Sequence, residues 1–370
     1  MEKILQSVVD SPGIERYDPF IAESAALRLV GYYRRGNRLA DAQRVVSLYA
    51  KVFLAASEKV AALQAHGWLR RVYDILQEYD MRQTADEVAV RMGEVAKRTH
   101  SEMGSFQQEF KIPETEVEKL VEALTAGTLD AIFARIALYF TPDRDRVEKQ
   151  VKKLAEIAPL IALFPTSIID SEGRPVANVG SVENDLEGRI VMQMSQNLSL
   201  EGLFLRQAIE KAFKKHVPTV DQILEYLFRS PLFLSHRKAV IAKGVEAYLD
   251  SDWMTAVHLL IPQIEEALRQ LLALSNRPVF TAGRHGGLHL RSLDDILADP
   301  AIVQAFTERK TVYMRVLLTD PRGWNLRNTL CHGILEPDGI GSACADRILH
   351  IFLLLALVRR KDEDHEKEAS

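Results

Sequence analysis

From Pro19 to Arg360 apolar residues recur at helical spacing almost without interruption, and such a stripe is buried by packing helix on helix. One stretch breaks the pattern towards strand. SIIDSEGRPVANVG, Ser167 to Gly180, reads as two short strands around the turn Glu172-Gly173, where glycine supplies the positive φ of a tight hairpin. A second interruption, TAGRHGG from Thr281 to Gly287, is Gly-rich and reads as an inter-helix loop, leaving Ser167–Gly180 as the only convincing β. The expected fold class is mainly all-α, with N-terminal helical hairpins, a small β-hairpin insertion and a C-terminal helical bundle. With 370 residues, 47% of them hydrophobic, the chain has material for two or three domains with real cores.

Charge and cysteine content exclude several classes. Lys plus Arg number 47 against 51 Asp plus Glu, a net of −4, so a nucleic acid would have to be held by a local patch rather than a global field. Cys331 and Cys344 are the only cysteines; alone they cannot build a zinc site, and they point to a reducing compartment. The opening MEKILQSVVDSPGIERYD has no long apolar core of the signal-peptide kind. The longest apolar run, Ile348 to Val358, contains His350 and is about half the length of a membrane span. The expectation is a soluble, cytoplasmic protein with no membrane contact.

Residues 1–110 read as a helical-hairpin region with an internal repeat. Ala25–Phe53 slides onto Leu69–Ala96 with an offset of about 43 residues, pairing Leu29 with Val72, Tyr33 with Leu76, Ala42 with Ala85 and Val46 with Ala89. A large residue facing a small one suits close helix-hairpin packing. Either tetratricopeptide-like hairpins or a plain bundle would satisfy the pattern. Arg34, Arg35, Arg38, Arg70 and Arg71 read as a solvated face. Residues 111–217 form a mostly helical middle region, with amphipathic helices around Glu114–Phe140 and Arg144–Ala158, the 167–180 hairpin as a structural joint, and helix again after Asn184. Pro218-Thr219 marks a boundary, residues 218–360 form the C-terminal helical domain, and the charged residues 361–370 read as a frayed tail.

The stretch most able to carry chemistry is TDPRGWNLRNTLCHGILEPDG, Thr319 to Gly339. Asp320-Pro321 reads as a helix start, with Asp as cap and Pro first in the helix, and Gly333 as its stop. A helix of two to three turns then carries Arg327, Asn328 and His332. Asn328 and His332 are four apart and share a face; Arg327 lies about 100° round, within reach of a long guanidinium. An imidazole for acid/base work, a fixed cation for a phosphate and an orienting amide suit metal-independent RNA cleavage. In that reaction a base takes the proton of the 2′-hydroxyl, which attacks the adjacent phosphorus, and an acid protonates the leaving 5′-oxygen. A capping arginine and a hydrogen-bonded histidine of no catalytic role give the same spacing.

Arg327-Asn-Thr-Leu-Cys-His332 resembles the Arg-x4-6-His signature of the HEPN superfamily, with Asn328 as the polar residue often found after the arginine. The surroundings extend the likeness: Asp320-Pro321-Arg322-Gly323, Asn325-Leu326-Arg327-Asn328 and His332-Gly333, the helix Ala256–Leu272 with Glu265, Glu266 and Arg269, and Leu293–Leu297. The resemblance covers roughly Ala239–Val358. It implies a HEPN-like helical domain, commonly dimeric, whose paired motifs face one another to form one composite RNase site. In this chain the signature positions fall on Arg327 and His332 and the auxiliary one on Asn328. No cofactor is implied.

Two further features bear on function. Arg277, Arg284, His285, His289 and Arg291 cluster around three glycines in RPVFTAGRHGGLHLR, a basic loop that suits RNA phosphates, with Arg322 as a further RNA contact. No carboxylate or cysteine joins His285 and His289 at metal-ligand spacing, so no metal site is expected. Pro262 is expected to kink its helix. Glu265 or Glu266 either pairs with Arg269 at the surface or turns to orient Arg327 or His332. Trp68, Trp253 and Trp324 read as core. Residues Pro218–Arg360 carry 16 basic and 15 acidic groups, +1, which favours a narrow cleft or a partner-dependent activity over tight generic RNA binding. Two functions follow: a regulated metal-independent endoribonuclease in defence or stress, acting as a homodimer on RNA with a regulatory protein docking on the N-terminal helices, or a non-catalytic scaffold or binding module that dimerises through its C-terminal domain. The last helix, Ala345–Arg359, reads either as a dimer-interface element or as an interior helix.

Overall fold

The computed structural model describes residues 19–104, 113–170, 172–283 and 285–360. The N-terminal segment read above, the tail 361–370 and Arg284 lie outside the described residues. The chain is mainly all-α and forms two compact units, Met1–Glu109 with Ile169–Pro175, and Phe110–Ile168 with Val176–Ser370.

In the first unit α1 (Pro19–Arg35) packs on α2 (Leu39–Ser57), α3 (Ala62–Glu78) on α4 (Arg82–Glu102), and α2 on α3. The 43-residue repeat extends to the turns. Asn37 and Asp80 both take φ +52°; Arg38 N donates to Tyr33 O and Met81 N to Leu76 O, each at 2.9 Å; Ala42 N reaches Arg38 O and Ala85 N reaches Met81 O. Asn and Asp are the non-glycine residues that tolerate this left-handed conformation best. Tyr33, Leu76, Ala42 and Ala85 are buried, but the fourth expected pair splits: Val46 is buried and Ala89 exposed, with Val88 turned inward. Trp68 is buried against Phe53. Arg34, Arg38, Arg70 and Arg71 form surface ion pairs with Glu78, Asp41, Asp74 and Glu23.

In the second unit the helix expected over Glu114–Phe140 is two, α5 (Glu114–Leu124) and α6 (Leu129–Tyr139). Gly127 turns the chain at φ +87° and Thr128 caps α6. The apolar rhythm runs on through this break, which is why periodicity alone joined the two. Asp143 caps α7 (Arg144–Ile157), followed by α8 (Pro159–Leu163). The hairpin pairs β1 (Thr166–Ile169) with β2 (Pro175–Val179), with Gly173 at φ +79° in the turn. After α9 (Leu186–His216), Thr219 and Gln222 form a reciprocal capping box at α10 (Val220–Leu227). One apolar core runs across this junction from Leu124 to Ala356.

The remaining elements are α11 (Lys238–Leu249), α12 (Trp253–Leu274), β3 (Phe280–Ala282), β4 (Leu288–Leu290), α13 (Leu293–Leu297), α14 (Pro300–Leu318), α15 (Leu326–Cys331) and α16 (Ser342–Leu355). The expectation of a single convincing β segment is corrected. The Gly-rich interruption holds a second antiparallel hairpin, β3 with β4, in the register Phe280↔Leu290; its three-residue strands are exposed on both faces and too short to mark a strand by pattern. The chain remains helical through Pro262. Trp253 and Trp324 are half-buried at the margin of the core rather than within it. Among the described residues no helix is long and apolar enough to cross a membrane.

Helix α16 is the centre of the second unit. Every residue from Cys344 to Leu355 is buried, and the helix packs against α6, α9 and α12, so of its two expected roles it takes the interior one. Its polar residues are internally bonded. His350 Nε2 meets Ala137 O at 3.1 Å and Nδ1 meets the Tyr313 hydroxyl at 2.8 Å. A carbonyl can only accept, so Nε2 carries the proton and Nδ1 accepts from Tyr313. Burial, reinforced by the nearby Arg347 charge, pushes His350 down to about 3. Unfolded, the ring would bind a proton near its ordinary 6.5. Between pH 6.5 and about 3 the unfolded state therefore holds the extra proton, and stability falls as the pH drops, by at most about 1.4 kcal/mol per unit from this group. Urea unfolding of His350→Gln should show a flatter pH slope than wild type between pH 6.5 and 4; equal slopes would remove the ring as their source.

Candidate active site

The motif segment folds back on α14. Asp320 does not cap a helix as expected: its carboxylate accepts from the backbone N–H of Arg322 at 2.9 Å and from the Arg322 side chain at 2.9 and 2.8 Å. Burial raises the Asp320 carboxyl while the Arg322 bonds lower it, and the net direction is down. Trp324 N then donates to Val316 O, and a Cβ on Gly323 would come within 2.1 Å of that same oxygen. Only glycine fits there. The helix starts at Leu326, five residues later than expected, because the Asp320 carboxylate closes this turn instead.

Asn325 enters α15 with φ +52°. Its side-chain oxygen accepts from Asn328 Nδ2 at 2.8 Å, and Asn328 Nδ2 also reaches Thr319 O at 3.2 Å. With both donations spent inward, Asn328 Oδ1 is left to accept from Arg327 at 3.2 Å. The helix is short, six residues, and closes in a Schellman motif: Gly333 N donates to Leu330 O, Ile334 N to Thr329 O, and Gly333 takes φ +65°. His332 is the residue just before that glycine. Its backbone N–H bonds Asn328 O, while its side chain is exposed and makes no hydrogen bond or ion pair among the described residues.

Arg327 faces the other way. Its Nε and a terminal nitrogen both lie 3.1 Å from Glu265 Oε2 on α12. The second Glu265 oxygen accepts from Arg269 at 2.8 Å, and Arg269 also bonds Glu266 at 2.7 Å. The alternatives left open for these acids are thus both realised, by different residues. Glu266 pairs with Arg269, and Glu265 bridges Arg269 and Arg327. The four side chains are mostly buried, Arg327 being the most open at 27%. The structure therefore joins Arg327 to Asn328 and Glu265 and leaves His332 apart on the surface. Asn325 and Glu265 complete the arrangement; the sequence signal for Asn325 is the Asn-Leu-Arg-Asn run, which puts two amides three apart on one helical turn.

The residues expected to contact RNA divide. Arg277 and Arg291 converge on Asp299, at 3.3 and 2.8 Å, and Arg291 also bonds the carbonyls of Pro278 and Asp295. Burial raises the Asp299 carboxyl, but the Arg291, Ala301 and Arg277 bonds outweigh it, and the net direction is down. Arg322 is spent on Asp320. His285 and His289 are exposed, and the His289 ring lies over Gly283, where a Cβ would meet it at 2.3 Å. Arg284 lies outside the described residues. No family model, curated protein or solved structure matches the chain.

A double-mutant cycle of Glu265→Ala and Arg327→Ala, read by urea unfolding, should give a coupling of about 1 kcal/mol. The open surface pair Arg70–Asp74 should give about 0.3–0.5 kcal/mol. Equal couplings would mean the partial burial at Glu265 adds nothing.

Proposed function

We propose that this chain is a metal-independent endoribonuclease of HEPN type, acting in the cytoplasm. The observation that carries the reading is the unpaired, solvent-exposed imidazole of His332 at the end of the short helix that also holds Arg327 and Asn328. A base must reach the proton it removes, and His332 is free to do so. In the proposed reaction His332 takes the 2′-hydroxyl proton, the 2′-oxygen forms a bond to phosphorus, the P–O5′ bond breaks, and the 5′-oxygen leaves protonated. The products are a 2′,3′-cyclic phosphate and a 5′-hydroxyl. Arg327 steadies the phosphorane charge through N–H groups not given to Glu265 or Asn328, and Asn328 fixes its orientation. One imidazole cannot be base and acid in the same step, so the reading includes a homodimer in which two copies of His332 divide those roles. Regulation in defence or stress, by a protein docking on the N-terminal helices, belongs to the same reading.

A specific observation also favours a scaffold. Glu265 holds Arg327 between α12 and α15, so the arginine braces the fold whether or not it meets a substrate.

Cleavage of a mixed RNA panel in EDTA separates the two. Wild type should release fragments ending in 2′,3′-cyclic phosphate. His332→Ala should lose about 10²–10⁴ in rate and Arg327→Ala about 10²–10³, with His332→Ala melting like wild type. Equal cutting by wild type and His332→Ala would sink the nuclease reading, and cutting by neither would leave the scaffold reading ahead.

A further inference from the structure

We propose that the cavity of about 630 Å³ between α5, α6, α7, α9 and α14 binds a small molecule with a flat heteroaromatic ring, N–H donors on one edge of that ring, and an anionic tail. The cavity lies within the second unit, shares no residue with α15 or its partners, and goes beyond the nuclease reading. Its size is in the range of about 300–1,000 Å³ usual for small-molecule sites.

The first observation is Glu201. Its side chain lines the cavity from α9, is partly buried, and has no hydrogen bond or ion pair among the described residues. With no protein donor, this half-buried carboxylate is met only by what enters the cavity, water or ligand. Neither Glu201 oxygen is among the sealed polar atoms, so both remain open to a donor entering the cavity. Burial raises this carboxyl despite the nearby charges of Arg347, Arg146 and Arg309. A ligand edge with two N–H groups would satisfy it.

The second observation is the cationic side. Arg146, on the first turn of α7, lines the cavity with an exposed side chain that makes no bond. Arg309 lines it too, fixed by the carbonyls of Thr141 and Pro142 and 3.5 Å from Asp143. The lining pairs two guanidiniums, Arg146 and Arg309, with two carboxylates, Glu201 and Asp143, and the fully buried Arg347, bonded to the carbonyls of Phe140 and Leu198, adds a positive charge beside them. Arginine is the residue best shaped for carboxylate or phosphate. The third observation is the wall: Leu138, Tyr139 and Leu200 are among the large apolar residues left over half exposed, and all line this cavity beside Phe204. A flat ring would cover them. An alkyl acid would fill the wall and meet the arginines but leave Glu201 unsatisfied.

A purine nucleotide and a pterin with a carboxylate tail share this chemistry, and the test separates them. Guanosine 5′-monophosphate and folate are titrated calorimetrically into the full chain, each to about 1 mM, the concentration at which a millimolar site is half filled. At least one should bind wild type, and the one that does identifies the anion. Glu201→Gln removes the acceptor charge and Arg146→Ala the free cation; each should weaken binding at least about tenfold, while both melt with wild type. Arg146→Glu, at an exposed position, should abolish binding. No heat with either probe, or binding that survives both Glu201→Gln and Arg146→Glu, overturns the proposal.

Discussion

The second unit is organised around the unpaid carbonyls at the C-terminal end of α6. A helix leaves its last carbonyls without intrahelical donors and concentrates partial negative charge there. Here one of them, with the carbonyls of the cap and of the turn that follows, is taken by cations and a ring from two other helices. Ala137 O accepts from His350 and Phe140 O from Arg347, both on α16; Thr141 O and Pro142 O accept from Arg309 on α14. Arg347 also donates to Leu198 O on α9 at 2.7 Å. Its guanidinium is fully buried, with no carboxylate in ion-pair contact and its Nε without a partner. Because arginine cannot shed its proton, and desolvating a charge costs several kcal/mol, these carbonyls must stay in place for the core to exist. The cost fixes α6, α9, α14 and α16 in one arrangement.

That arrangement has consequences at its edge. The turn after α6 supplies the backbone that Arg309 grips, the cap of α7 in Asp143, and the lip of the cavity holding Glu201 and Arg146. Deeper in the same core a second carboxylate is left incompletely satisfied: Asp346 takes Tyr248 and Arg206 on one oxygen and nothing on the other, and burial raises it. The two acids differ in access. Asp346 is sealed at 1% exposure, whereas Glu201 opens on a cavity with unspent partners around it. Access, not the degree of strain, separates a structural compromise from a binding group.

What could be read in advance follows from where the signal lies. Helical periodicity exposed the hairpins of the first unit, and the 43-residue offset held even for the turn bonds at Asn37 and Asp80, because residues that accept φ above zero are few. The break at Gly127 was hidden because Leu124 and Leu129 keep the apolar rhythm on either side of it. The β3–β4 hairpin was hidden because strands of three exposed residues have no inner face. In the motif, the positions of Arg327, Asn328 and His332 were legible, but the start of their helix was not: Asp320-Pro321 has the composition of a cap, and whether the carboxylate bonds a following helix or a turn depends on Gly323 meeting Val316, a tertiary contact that spacing alone cannot announce. Likewise nothing in RPVFTAGRHGGLHLR shows that Arg277 and Arg291 are spent on Asp299.

The charge around Arg327 sets the terms on which any phosphate could use it. Arg269 and Arg327 face Glu265 and Glu266, and Arg237 stands 4.0 Å from Glu266 at the edge, so three cations meet two carboxylates. A phosphate placed at Arg327 would also meet Glu265, and like charges at that range repel. For a nuclease, Glu265 must then hold the guanidinium side-on, leaving its outer N–H groups for substrate. Arg277, Arg291 and Arg322 cannot add positive charge there without giving up Asp299 and Asp320. Arg237, 40% exposed and paired only at 4.0 Å, is a cation beside the cluster that a phosphate could take without breaking a close ion pair.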